Sequence, residues 1–199
     1  MSEPVPVGNK LVLASKSPQR QAILEALGVS FVVRPSGLVE AEEGEAHAVA
    51  LANASGKALA VVREVGETVL GVDTVVSLGG RLWGKPADEA QARATLAALS
   101  GAIHTVVSGL AVLEPGAGPR TATCATSVRF RELDAATIDW YVRSGEWRER
   151  AGAYAIQGAG SALVESISGD WTNVVGLPVG TLLRLLPGLL VQQSFQHGG

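Results

Sequence analysis

The sequence predicts a mixed α/β fold, a twisted mixed sheet flanked by helices and arranged as two lobes around a cleft. Three observations carry this. Strand and helix patterns alternate over the first hundred residues. Strand patterns cluster in the middle of the chain, which excludes a regular doubly wound fold. No internal repeat or disordered linker divides the 199 residues, so residues 10–191 read as one domain between tails at 1–9 and 192–199.

The elements follow from local chemistry. Leu11 to Ala14 is a short apolar run with the character of a buried strand. Ser17 stands at an N-cap and Pro18 at the first helical position, where its missing N–H costs nothing. Ile23, Leu24 and Leu27 give that helix its apolar stripe, and Gly28 stops it. Val29 to Arg34 reads as a second strand, ended by Pro35-Ser36-Gly37. Glu40, Glu42, Glu43 and Glu45 form an acidic stretch, and Ala46 to Arg63 is alanine-rich and helical. Val69 to Val72 reads as a strand ending at Asp73, with Thr74 to Leu78 extended after it. Gly79-Gly80 is a hairpin turn before Arg81-Leu82-Trp83. Asp88 caps a helix to Leu99, stopped by Gly101. His104 to Leu113 and Thr121 to Arg131 are strands, and Asp134 caps a helix through Val142. Gly145 to Gly160 is a glycine-punctuated loop. Leu163 to Ile167 and Thr172 to Val175 read as a strand pair around Gly169-Asp170. Pro178 starts a final helix, and Pro187-Gly188 stops it.

Composition narrows the function. With 47% hydrophobic residues the chain can build a substantial core. A net charge of −3 gives no general positive field, so no nucleic-acid partner is expected. The single cysteine, Cys124, allows no intrachain disulfide and no cysteine-rich metal site; it reads as a small strand residue. His47, His104 and His197 lack metal-ligand spacing, so zinc is not expected. The N-terminal residues lack the basic and apolar regions of a signal peptide. No apolar run reaches membrane-spanning length. No membrane partner is expected, and the cytoplasm is the expected compartment.

The candidate chemistry begins at the first strand-to-helix junction. A helix N-terminus offers unpaired N–H groups and partial positive charge. Ser15, Lys16, Ser17 and Arg20 add hydroxyls and cations there, which makes an anion site with phosphate as the first candidate. Asp73 is the leading catalytic candidate, because open α/β sheets place ligands at strand carboxyl ends; a turn aspartate closing the strand is the bland alternative. Lys85, in Gly84-Lys85-Pro86, can reach the same cleft from the following loop. Lys57 stands within an alanine-rich helix, where a lone lysine ordinarily serves solubility. Gln157 could read a base edge. No Walker phosphate loop, dinucleotide-binding glycine fingerprint or nucleophile elbow is present.

Six blocks in order resemble the Maf family of nucleotide pyrophosphatases, from about Lys10 to Leu186. Leu13-Ala14-Ser15-Lys16-Ser17-Pro18-Gln19-Arg20 is similar to its LAS-x-SPRR signature, and Gly71-Val72-Asp73-Thr74-Val75-Val76 to its DT-V-V block. Gly84-Lys85-Pro86 and Leu99-Ser100-Gly101 with His104 match the next two. Ala151-Gly152-Ala153-Tyr154-Ala155-Ile156-Gln157-Gly158 and Asn173-Val174-Val175-Gly176-Leu177-Pro178 complete the series.

The resemblance implies a fold similar to the inosine triphosphatase group. It also implies hydrolysis of a nucleoside triphosphate to a monophosphate and pyrophosphate, with a divalent cation, Mg2+ or Mn2+. Asp73 matches the catalytic aspartate, and Ser15, Arg20, Glu40, Lys57 and Lys85 match polar cleft positions. On that basis Glu40 and Asp73 would bind the metal, while Ser15, Ser17, Arg20, Lys57 and Lys85 would hold phosphate. Three positions separate the branches: Arg, Thr and Gln for dTTP and UTP, and Trp, Gln and Glu for 7-methyl-GTP. Here they are Gln19, Thr74 and Gln157. Two favour dTTP/UTP, while Gln19 fits neither, which implies broader or shifted base selectivity.

Family members are often dimers, so a homodimer is among the implied partners, and a link to septum formation leaves a cell-division regulator as the alternative function. A phosphatase using Asp73 as a phosphoryl-accepting nucleophile would need a second acid two residues on, where Val75 stands.

Overall fold

The computed structural model describes residues 10–190; the expected tails at 1–9 and 192–199 lie outside them. Seven strands form one mixed sheet in the order β2-β1-β3-β5-β6-β7, with β4 paired to β3 beside this path. The strands are β1 (Leu11–Leu13), β2 (Phe31–Val33), β3 (Thr68–Leu78), β4 (Arg81–Trp83), β5 (Ile103–Leu113), β6 (Arg120–Phe130) and β7 (Val164–Ser168). β1 runs parallel to both β2 and β3, and the other pairs are antiparallel. The helices are α1 (Pro18–Ala26), α2 (Ala46–Ala60), α3 (Glu89–Leu99), α4 (Ala135–Ser144), α5 (Trp171–Val175) and α6 (Val179–Leu185).

Alternation along the strands sorts the core into layers. Val12, Val69, Ala111 and Leu113 pack with Ala54 and Ala58 of α2 on one face. Leu11, Leu13, Leu70, Val72, Leu110 and Val112 pack with Leu24 of α1 and Leu182 of α6 on the other. A third cluster gathers Val76, Val106, Val128 and Phe130 with residues of α3, α4 and the loop after α4. Two glycines let α2 lie close to its face of the sheet. A Cβ at Gly71 would run into the Ala54 carbonyl, and one at Gly109 into the Ala50 carbonyl.

Local signals place most boundaries. Asp88 and Asp134 accept hydrogen bonds from the N–H groups of Gln91 and Thr137, and Gly79-Gly80 turns with both residues at positive φ. Glu45, the last of the acidic stretch, caps α2 by accepting from the His47 and Ala48 N–H groups, and those bonds lower its pKa.

Two readings are corrected. Asp73 does not end a strand. It lies inside the unbroken β3, and its neighbour Thr74 is paired opposite Ser108. Thr172 to Val175 is not a strand but part of α5. The Asp170 carboxylate caps it by accepting from the Thr172 N–H and hydroxyl, and buried Asn173 donates to the Val106 carbonyl and the Thr126 hydroxyl. Long-range bonds from one asparagine outweigh the β-preference of Thr and Val. The second strand is also shorter than expected, Phe31–Val33.

Candidate active site

β3 is paired on its outer edge at both ends but not in the middle. β1 pairs with Thr68 to Leu70, and β4 with Val76 to Leu78. Asp73 and Thr74 fall in the gap. Because successive strand residues face opposite sides, Asp73 turns to α2 and Thr74 to α1. A cavity of about 560 Å³ opens here, within the size range of small-molecule sites, roughly 300–1,000 Å³.

The Asp73 carboxylate is 4% exposed and held from two sides. Lys57 Nζ donates to Oδ1 at 2.6 Å, and Asn53 Nδ2 donates to Oδ2 at 3.0 Å. Both donors come from α2, one turn apart. Lys57 Nζ also reaches Glu40 Oε1 at 2.8 Å and the Val72 carbonyl at 3.4 Å. Asn53 ties down the loop carrying Glu40: its Oδ1 accepts the Ala41 N–H at 2.8 Å and its Nδ2 donates to the Ala41 carbonyl at 3.0 Å. Each Asp73 oxygen keeps a free lone pair after these bonds.

The first junction forms the adjoining wall. Arg20 is buried, and donates from Nε to the Gly176 carbonyl at 2.9 Å, from Nη1 to Ser15 Oγ at 2.8 Å and from Nη2 to Thr74 Oγ1 at 3.1 Å. Burial lowers its pKa, while attraction to Asp73 and Glu40 acts the other way. Ser17 occupies the N-cap position of α1, yet its hydroxyl caps nothing and donates to Gln19 Oε1 at 3.2 Å. Its N–H donates to Ser15 Oγ at 3.2 Å.

Lys85 lines the cavity from the loop after β4 and pairs with Glu149 at 3.4 Å. Ser15, Ser17, Gln19, Arg20, Glu40, Lys57, Asp73, Thr74 and Lys85 therefore all line one cavity. Gln157 does not; it is exposed at the start of a 3-10 turn beginning at Gly158. Sequence reasoning missed Asn53, Glu149 and Arg150. The four-residue spacing of Asn53 and Lys57 on an otherwise alanine-rich helix was the readable sign of a shared polar face. Behind the cavity, His104 Nε2 lies 2.8 Å from the Tyr154 hydroxyl. Burial holds the His104 pKa down at about 4 and raises that of Tyr154.

The family model for Maf-like proteins matches residues 10–189. The chain belongs to the Maf family. Curated relatives agree along nearly their whole length. This Maf protein is 48% identical over 183 residues to a dTTP/UTP pyrophosphatase of Anaeromyxobacter, covering 89% of this chain and 88% of that one. It is 43% identical over 187 residues to a dTTP/UTP pyrophosphatase of Deinococcus radiodurans, covering 93% and 95%. Among solved structures, a HAM1 protein from Coxiella burnetii matches with a TM-score of 0.49 at 18% identity, over 90% of this chain and 99% of that one. Among the described residues, no helix is long and apolar enough to cross a membrane.

Proposed function

We propose that this Maf protein hydrolyses nucleoside triphosphates, dTTP and UTP foremost, to the monophosphate and pyrophosphate by attack of water at the α-phosphorus. The observation that carries the reading is Asp73, a buried carboxylate where the outer edge of β3 is left open, at a cavity whose lining has five cationic side chains against three carboxylates. An excess of positive charge suits a polyanion, and a carboxylate with free lone pairs can orient and deprotonate a water. The dTTP/UTP pyrophosphatase names of the relatives support the substrate class.

Asp73 accepts a proton of the attacking water. Lys57 and Asn53 hold the carboxylate still so that it need not reorganise during the reaction. Ser15 and Ser17, at the start of α1, donate to phosphate oxygens, and Arg20 adds its two unused N–H groups. Lys85 binds the phosphate tail from the other loop.

The residues fit a divalent cation of the Mg2+ or Mn2+ kind. Such ions take hard oxygens and are often held by one or two carboxylates together with substrate phosphates. Glu40 and Asp73 supply carboxylates that converge on one ammonium. Among the described residues, no three His, Cys, Asp or Glu side chains form a ready-made cage, which suits an ion shared with substrate. When bound, the ion would neutralise phosphate charge and acidify a water.

Gln19 and Thr74 line the cavity where a base or sugar could be read. Gln19 lacks arginine's charge and planar fork, so base selectivity is broader than in relatives carrying arginine at that position. A panel of triphosphates tests this; strong preference for 7-methyl-GTP over UTP would overturn it. The catalytic reading is tested by Asp73→Asn. Pyrophosphate release should fall by about 10²–10⁴-fold with nucleotide binding largely kept, and unchanged turnover would reject the role.

A further inference from the structure

One cation at the cavity, Lys57, is already engaged by the protein itself, and a second, Arg20, keeps only two N–H groups free. Lys57 Nζ has three N–H groups and three oxygens around it, from Asp73, Glu40 and Val72. Arg20 gives one N–H from each of its three nitrogens to Gly176, Ser15 and Thr74. A phosphate tail entering the cavity needs donors and charge that are not spoken for.

Arg150 has both. It lines the same cavity, and its Nε is buried without a hydrogen-bond partner. A buried N–H left unmade is costly, and a phosphate entering the cavity that Arg150 lines is one partner that would satisfy it. The backbone around it is also held in an uncommon shape. Glu149 has φ 58°, Gly152 φ 70° and Ala153 φ 59°. Left-handed conformations at Glu and Ala persist only where the surroundings enforce them. Here the Gly152 N–H donates to the Gly84 carbonyl at 3.2 Å, and the Glu149 carboxylate meets Lys85 at 3.4 Å. Both ties run to the loop that carries Lys85, so the strained segment and the Lys85 loop form one wall.

We propose that Arg150 is a binding residue for the pyrophosphate part of the substrate, acting with Lys85 on the wall away from Asp73. This rests on the pyrophosphatase reading above. A planar guanidinium can take two phosphate oxygens at once, and supplies more donors than a single ammonium. The α-phosphorus then lies by Asp73 and the β- and γ-phosphates by Arg150 and Lys85, so the group that leaves is the group this wall holds.

The test is calorimetric binding of inorganic pyrophosphate and, separately, of UMP to the wild type, Arg150→Gln and Arg150→Lys, with thermal melts of each. Pyrophosphate affinity should fall about tenfold in Arg150→Gln, with Arg150→Lys between it and the wild type and UMP affinity unchanged in both. The KM for UTP should rise in step. Wild-type pyrophosphate affinity in both variants, an equal loss for UMP and pyrophosphate, or no pyrophosphate binding by the wild type would overturn the proposal. Arg150→Lys retains the charge and reports on the planar fork even if Arg150→Gln fails to fold. Binding needs no turnover, so the two readings fail separately. A wild type that releases pyrophosphate from no triphosphate defeats the pyrophosphatase reading, and an unaltered affinity in the variants defeats the Arg150 assignment alone.

Discussion

The wall built by β1, α1 and α2 and the wall built by the Gly84 and Glu149 loops differ in how far their polar groups are already satisfied. On the first, Arg20, Lys57, Asn53 and Asp73 bond to one another's neighbourhoods through buried, short contacts. On the second, Lys85 has one long contact to an exposed glutamate and Arg150 keeps an orphaned Nε. On the proposed reading the first wall is preorganised for the reacting centre, where a small displacement costs rate. The second is organised by backbone geometry and leaves its cations for the ligand. Positioning and charge supply are thus divided between the two walls.

The contrast predicts unequal responses to substitution. The largest stability loss is expected at Lys57→Met, which leaves Asp73 buried without its counter-ion. Breaking a buried pair from one side costs about 3–5 kcal/mol, readable as a fall in the urea midpoint. Adding Asp73→Asn to Lys57→Met should restore part of the loss, because the buried carboxylate is then no longer stranded. A double variant no more stable than Lys57→Met would show that packing of the lysine stem, not the pair, is what matters.

The second effect separates the walls by pH. Burial holds His104 at about 4 against an ordinary 6.5. The unfolded chain takes up this proton near pH 6.5, and the folded chain only near pH 4. The stability associated with neutral His104 is therefore complete above 6.5 and is lost as pH falls to 4, on the order of 3 kcal/mol. His104→Gln should flatten this window in chemical denaturation. Glu67 behaves differently at the far end of β1. The Arg34 hydrogen bond holds it down at about 2, so its contribution is present above 4.5 and is lost between 4.5 and 2. Mild acid should weaken the wall backed by His104 and Tyr154 first. A single transition window below pH 4.5 would contradict this order.

A third probe reports on the seat of α2. Gly71→Ala directs a methyl into the Ala54 carbonyl, and overpacking of this kind costs about 1–3 kcal/mol. Because Ala54 lies between Asn53 and Lys57, kcat should fall along with the melting temperature. A drop in melting temperature with unchanged kcat would show that the donors to Asp73 tolerate a displaced helix.

The same division explains what was legible in the sequence. The β1–α1 junction, the caps at Asp88 and Asp134 and the Gly79-Gly80 turn depend on residues within a few positions, and local chemistry identifies them. Asp73 was legible as a carboxylate beside an apolar run, but its place inside β3 depends on pairing with β5, more than thirty residues away. The four-residue spacing of Asn53 and Lys57 marks a shared polar face, but nothing local marks the bonds of Asn53 to Ala41, twelve residues earlier, and to Asp73, twenty residues later. Thr172 to Val175 is rich in β-branched residues, but the cap at Asp170 and the anchor from Asn173 to the distant Val106 carbonyl make it helical. Arg150 was hidden in a loop whose shape is set by positive φ at five of its residues, two of which, Glu149 and Ala153, are not glycine.

The smallest effect is the finest probe of the loop wall. Glu149 is exposed and its pair with Lys85 is long, so Glu149→Gln should leave the melting temperature unchanged, as exposed pairs ordinarily contribute little. Its effect should be on substrate. Removing the carboxylate takes away both a competitor for the Lys85 ammonium and a negative charge beside the phosphates. The KM for UTP should fall by about two- to threefold at low ionic strength, and the gain should shrink as salt screens the exposed charges. Glutamine tolerates the left-handed backbone no worse than glutamate, so loop geometry is not the variable. A KM that rises instead would mean that Glu149 holds Lys85 in its working position, and the loop wall would then be preorganised like the wall opposite.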